Sequence, residues 1–222
     1  MAALALWHTV DSNARLFGAL LAELAPDIPL EHRVRADLVA AAQPHGLTAA
    51  IRREAALDML DMADAGAPVV LCTCSTLGPA AESAADLTDA AVLRVDRPMI
   101  ERALDQGARI AIAATAPSTL GPTRDLLERA ARARGLALQA RDILVADAWP
   151  LLQAGDTGAY IERVAATIRE RLGEADAVIL AQASMAPAAE RLKDVPVPVL
   201  SSPRLGAEAA VAAYRRGCRP VR

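Results

Sequence analysis

The sequence predicts an α/β protein of two similar Rossmann-like lobes, each with a parallel sheet, related by a pseudo-twofold axis. Three observations carry that expectation. Short apolar runs alternate with longer amphipathic stretches, the βαβα order that gives parallel strands and right-handed crossovers. Most of the runs are apolar throughout, as strands buried on both faces of a sheet require. The chain also repeats itself. VVLCTCSTLGPAAE (69–82) overlays AVILAQASMAPAAE (177–190) at an offset of about 108 without a gap, and LALWHTVDS (4–12) overlays IAIAATAPS (110–118) at about 106. Two segments in the same order at nearly the same offset point to a duplication.

The elements follow in chain order. The apolar start (3–8) reads as a first strand; it lacks the charged flank and cleavage site of a signal peptide. A helix over 13–24 and a strand over 28–34 come next, then a long helix over 48–65 closed by Gly66. A strand over 69–73 leads through a Ser/Thr turn into a helix over 77–86. The helix over 97–105 is closed by Gly107, and a strand follows over 109–114. A helix over 122–134 is closed by Gly135, with a strand expected over 136–140. Glycine just beyond a helix end suits a left-handed C-cap. Asp147 and Trp149 fall in a segment read as irregular. A helix over 158–172, strands over 177–181 and 197–200, and a helix over 207–216 complete the chain. The expected division is residues 1–95 with 202–222 in the first lobe and 96–201 in the second, the last helix folding back on the first lobe.

Composition excludes several roles. Hydrophobic residues make up 54% of the 222 residues, enough for a sizeable core, whereas 2% aromatic content leaves little for stacking nucleobases. With a net charge of −3 and scattered cations, a nucleic-acid footprint is not expected. No apolar run approaches the length that spans a bilayer. Three cysteines do not make a disulfide framework, so a cytoplasmic location is expected. No His/Cys/Asp group has metal-ligand spacing and neither a GxGxxG nor a P-loop is present, which points to chemistry without metal or cofactor.

The chemistry-bearing residues sit where the strands run out, the place where ligands bind in open parallel sheets. Cys74-Ser75-Thr76 ends a strand and opens a helix, whose unpaired first-turn N–H groups favour an anion such as a substrate carboxylate, and favour a thiolate. Gln182-Ala183-Ser184 offers a matching turn in the second copy, so a thiol in one copy stands against an amide in the other.

The strand–Cys–Ser–Thr–helix element, its second copy, the ATAPSTLGPT segment (114–123) and the PVLSSP segment (198–203) together resemble the aspartate/glutamate/hydantoin racemase superfamily, which includes maleate isomerases and arylmalonate decarboxylases. The resemblance implies an active site in the cleft between the lobes and a small carboxylic acid as substrate. In the racemases each lobe supplies one cysteine: one thiolate removes the α-proton and the opposing thiol returns one. The first maps to Cys74. The second maps to Gln182, an amide that neither gives nor takes a proton at neutral pH. The decarboxylases are similar in keeping one thiol, though in the other lobe. A lone thiol facing an amide suits one-sided proton delivery, with the amide as part of an oxyanion site.

Several assignments stay open at this point. Cys74 is the proposed catalytic thiol, with Cys72 as the alternative two residues earlier, and either is compatible with a buried structural thiol. His8, at the end of the first strand, is a candidate second base or carboxylate ligand, or a local cap. Thr9, Ser75, Thr76, Thr115, Ser118, Thr119, Ala183 and Ser184 are candidate substrate-binding positions, although Ser and Thr also occupy such turns as caps. His45 is read as a loop residue, His32 as uninformative and Cys218 as inert. A homo-oligomer is admitted but not required. The expected activity is a racemase, isomerase or decarboxylase step next to a carboxylate; the other reading is an inactive carboxylate-binding protein of the same fold.

Overall fold

The structure, a computed structural model, describes residues 2–217, with His45 in its backbone only. Two compact units emerge, one running to Val95 and rejoined from Pro203 onward, the other covering Asp96–Ser202.

In the first unit the described elements are β1 (Leu4–His8), α1 (Asp11–Leu24), β2 (Leu30–Val34), α2 (Ala36–His45), α3 (Ala49–Asp64), β3 (Val69–Cys72), α4 (Gly78–Ala85) and β4 (Ala91–Arg94). All strand pairs are parallel, in the order β2-β1-β3-β4. The central strands β1 and β3 are buried along their whole length, which explains their unbroken apolar sequence. Their side chains alternate between two cores. Ala5, Trp7, Val70 and Cys72 face Met59, Met62 and Leu77, on α3 and ahead of α4. Leu4, Leu6, Val69 and Leu71 face Phe17 and Leu21 of α1, together with Ala207, Ala210 and Tyr214. Those last three belong to the final helix of the chain, so the C-terminal segment packs on the first sheet. Burying each such large apolar side chain stabilises by about 1.5–3 kcal/mol. Trp7, fully buried, donates its indole N–H to Asp58 Oδ2 at 2.6 Å.

The second unit runs α5 (Arg97–Leu104), β5 (Arg109–Ala114), α6 (Pro117–Ala133), β6 (Gln139–Leu144), α7 (Trp149–Gln153), α8 (Thr157–Arg171), β7 (Ala177–Leu180), α9 (Ala188–Arg191) and β8 (Val199–Ser201), before α10 (Ser202–Gly217). Its parallel order β6-β5-β7-β8 repeats that of the first sheet. The registers repeat too. Leu4 pairs with Val69 and Trp7 with Cys72; Ile110 pairs with Ala177 and Ala113 with Leu180. Those are the partners that offsets of 106 and 108 require.

The structure shifts some expected boundaries. β6 begins at Gln139 rather than at 136, because Gly135 (φ 67°) caps α6 and the Leu136 N–H turns back to Ala131 O at 3.0 Å, a C-cap that uses up the first apolar residue. α6 begins at Pro117 rather than at 122, with a proline at its first position, where no N–H is needed. β4 and α2 were not expected. β4 is a four-residue edge strand, too short for a periodic signal. α2 carries Pro44 near its end, so QPHG reads as a loop although His45 is the helix's last residue. The segment with Asp147 and Trp149 forms a 3₁₀ turn (Ala146–Ala148) and α7 rather than irregular chain. Gly66 and Gly107 have the expected positive φ, 104° and 153°.

Candidate functional site

In both units the candidate residues lie at the carboxyl ends of the two central strands. In the first unit β3 ends at Cys72, and residues 73–77 form an irregular turn before α4. The Gly78 N–H closes that turn on Ser75 O at 3.2 Å. Cys74 is 9% exposed; Ser75 and Thr76 are buried. Cys72 is fully buried, packed in the core beside Trp7 and Leu77. Its thiol donates weakly to Cys74 O at 3.5 Å. Both remain thiols; Cys218 lies outside the described residues. By the repeated register, Cys72 corresponds to Leu180, a core residue, and Cys74 to Gln182.

His8 ends β1 with its side chain fully buried. Both ring nitrogens are engaged: Nδ1 lies 2.8 Å from Thr73 Oγ1 and Nε2 lies 3.0 Å from His32 Nδ1. The two imidazole planes are nearly parallel, 16° apart. Burial, and secondarily the neighbouring His32, pull the His8 pKa down from 6.5 to about 4, so the ring is neutral at pH 7. Thr73 is held further by Asn13 Nδ2, which donates to Thr73 O at 3.1 Å. Thr9 is buried beside this network. At the end of β4, Arg94 sits opposite Cys72 in the ladder with its side chain 1% exposed, 3.2 Å from Glu82. It packs over Gly78, where a Cβ would stand 2.7 Å from the guanidinium carbon.

In the second unit Gln182 dominates. Its Oε1 accepts from the Thr115 N–H at 2.6 Å, the Thr115 hydroxyl at 3.0 Å and the Ala116 N–H at 3.1 Å. Two backbone donors fix which branch of the amide is oxygen, so Nε2 is directed away from that turn. Ser184, in the 3₁₀ turn Ala183–Met185, lies 2.9 Å from the Tyr160 hydroxyl. Burial holds the Tyr160 phenol above its usual pKa, only partly opposed by hydrogen bonds from Ser184 and Thr115; the phenol therefore keeps its proton. Thr119 is buried and its N–H caps back to Ala116 O, while Ser118 is half-buried. Sequence reasoning missed Asn13, Thr73, His32, Arg94 and Tyr160. Thr73 stood beside the thiol; the others carry no motif, since a side chain brought in from a helix or edge strand has no fixed spacing from the turn it meets. Among the described residues, no group of three His, Cys, Asp or Glu side chains is placed to hold a metal ion, and no helix is long and apolar enough to cross a membrane.

The sequence matches the model of the Asp/Glu/hydantoin racemase family over residues 12–210. The chain belongs to that family. No curated protein matches it by sequence. Solved structures agree with the fold. Glutamate racemase from Francisella tularensis subsp. tularensis SCHU S4, in complex with D-glutamate, is 12% identical with a TM-score of 0.76, covering 100% of this chain and 84% of the racemase. Allantoin racemase from Klebsiella pneumoniae is 18% identical, TM-score 0.68, covering 97% and 89%. A mutant arylmalonate decarboxylase in a sulfate-associated form is 18% identical, TM-score 0.58, covering 98% and 96%. The family fold thus hosts racemases and a decarboxylase, and its two four-stranded parallel sheets with flanking helices are those found here.

Proposed function

We propose that this chain is a cofactor-independent enzyme that moves a proton at the carbon next to a carboxylate of a small acid, with Cys74 as its single proton-carrying thiol. The Cys74 thiolate would take the α-hydrogen as a proton, leaving the electron pair on an enolate, and the resulting S–H would return a proton to one face of it, the half-reaction that α-exchange reads. Where the acid carries a second carboxylate, its loss as CO2 would leave the electron pair on the same kind of enolate, and the Cys74 S–H would protonate that carbon to give the product. Gln182, with Nε2 turned away from the Thr115 turn, would donate to a carboxylate or enolate oxygen. A donor of this kind is typically worth about 3 kcal/mol of transition-state stabilisation. Ser75, Thr76 and Ser184 would hold the remaining anionic oxygens. The observation that carries this reading is the register of the repeat: it makes Gln182 the counterpart of Cys74 in the second copy, and the core residue Leu180 the counterpart of Cys72.

One observation favours a second reading. The position that the repeat aligns with Cys74 holds an amide pinned by three hydrogen bonds, and a carboxylate-binding protein without turnover would have the same parts. Proton NMR in D2O separates the two. With a panel of small amino, hydroxy and aryl-substituted acids, the enzyme exchanges the α-proton of at least one, and Cys74→Ser abolishes the exchange. Thermal stabilisation by an acid, with no exchange in any member of the panel, would decide for the binding protein.

A further inference from the structure

The two units share a backbone frame but not what is built on it. Thr73 N–H donates to Trp7 O at 2.9 Å, and its repeat counterpart Ala181 donates to Ala113 O at the same 2.9 Å. Only the first unit adds side chains to that link. The Thr73 hydroxyl lies 3.3 Å from Trp7 O and 2.8 Å from His8 Nδ1, and Asn13 takes Thr73 O at 3.1 Å. Beyond His8 the chain continues to His32 at 3.0 Å. At the second unit's equivalents of His8 and Thr73 stand Ala114 and Ala181, both fully buried. The second sheet keeps the same register with two methyl groups, so the fold does not require the polar set. Buried polar groups carry a desolvation cost that alanine avoids. This set occurs in the copy that carries the thiol.

We propose that His8, Thr73 and Asn13 form a brace that fixes the peptide leading into Cys74, making His8 a positioning residue that acts through Thr73 rather than a carrier of the reacting proton. The hydrogen bonds assign its direction. The Thr73 hydroxyl donates to Trp7 O and accepts from His8 Nδ1–H, which leaves His8 Nε2 to accept from His32 Nδ1–H. Each donor then has an acceptor, and the imidazole holds one tautomer with neither nitrogen spare. Phe17, 6.3 Å away between ring centres, closes its apolar side. Thr73 is thereby gripped at its N–H, its carbonyl and its hydroxyl, one residue before the thiol.

The catalytic consequence rests on Cys74 as the proton-transfer group, whereas the brace itself does not. The test therefore reads Cys74 twice: by its rate of alkylation with iodoacetamide in the folded protein, with Cys72 as internal reference in peptide mass spectrometry, and by kcat and KM for α-proton exchange. Thr73→Val removes the hydroxyl at constant shape; Thr73→Ser restores it. In Thr73→Val the alkylation of Cys74 is expected to rise about tenfold, the scale of one lost buried hydrogen bond, and kcat to fall with KM little changed, while Thr73→Ser returns both to near wild type. Adding His8→Ala to Thr73→Val should change neither readout further, since both cut the same link. Unchanged alkylation in Thr73→Val, failure of serine to rescue, or multiplicative effects in the double variant would overturn the brace. Absence of exchange in the wild type would defeat the proposed function and leave the alkylation result to judge the brace alone.

Discussion

Gln182 and Thr115 are locked together at the end of the second sheet: the amide oxygen of one meets both the backbone N–H (2.6 Å) and the hydroxyl (3.0 Å) of the other. A substrate carboxylate at the turn after β5 would use those same donors. The protein's own carboxamide occupies them, and it presents N–H rather than a titratable group at the position that the repeat aligns with Cys74.

That arrangement predicts the stereochemistry. If Cys74 is the single proton-carrying thiol proposed above, the wild type should return deuterium to the face the proton left, so exchange proceeds with retention. Gln182→Cys places a second thiol and frees the Thr115 and Ala116 N–H groups. If these are left unsatisfied the variant should lose about 1–3 kcal/mol of stability. It should also gain inversion alongside exchange, seen as appearance of the opposite enantiomer by chiral chromatography. Exchange in the variant that still shows complete retention would mean that a thiol at 182 does not reach the reacting carbon.

Much of the fold is legible in the sequence, and the reason is physical. β1, β3, β5 and β7 are central strands buried on both faces, so their sequences are apolar runs, and duplication let each copy calibrate the other down to the register of the ladders. The edge strands were harder: β6 carries Arg141 and Asp142 on exposed surface and starts three residues late because Gly135 and Leu136 serve a helix cap. Among the candidate site residues, Cys74 and Gln182 stand out in the sequence because they break the repeat. Tyr160 could not, since it reaches Ser184 from the buried face of α8, where a tyrosine and a leucine look alike in pattern. His8 was visible as a residue, but the partners that occupy its two nitrogens, Thr73 and His32, come from the turn just after β3 and from β2, and only pairing those strands with β1 reveals them.

Gly78 shows the same dependence on partners distant in sequence. Its backbone is ordinary helix, yet a Cβ there would lie 2.7 Å from Arg94 Nε and 2.8 Å from Nη2. The Arg94 side chain is 1% exposed and ion-paired with Glu82, so it has little room to swing away. Gly78→Ala should therefore destabilise by about 1–3 kcal/mol, the usual cost of overpacking, read from the denaturant midpoint. The loss should shrink when Arg94→Met is added, because the flexible thioether leaves space. A cost independent of residue 94 would place its origin elsewhere.

The buried histidine predicts an acid-labile fold with a definite window. In the unfolded chain His8 titrates near 6.5; in the folded chain burial, and then His32, hold it near 4. Between those values the unfolded chain binds the extra proton, so stability rises with pH there. The contribution is whole above 6.5 and is lost as pH falls to 4, at about 1.4 kcal/mol per pH unit and so on the order of 3 kcal/mol in all. His32, also lowered by burial, adds in the same direction. Asp37, Asp176 and Asp194 are held below 3.8 chiefly by hydrogen bonds from Arg35, Arg109 and Arg169. Their contributions are lost only at lower pH, beneath the histidine window. Urea unfolding at pH 7 and pH 4.5 should therefore show a steeper loss in the wild type than in His8→Leu, whose side chain cannot bind a proton in either state. Equal losses in the two proteins would show that His8 is not held neutral by its surroundings.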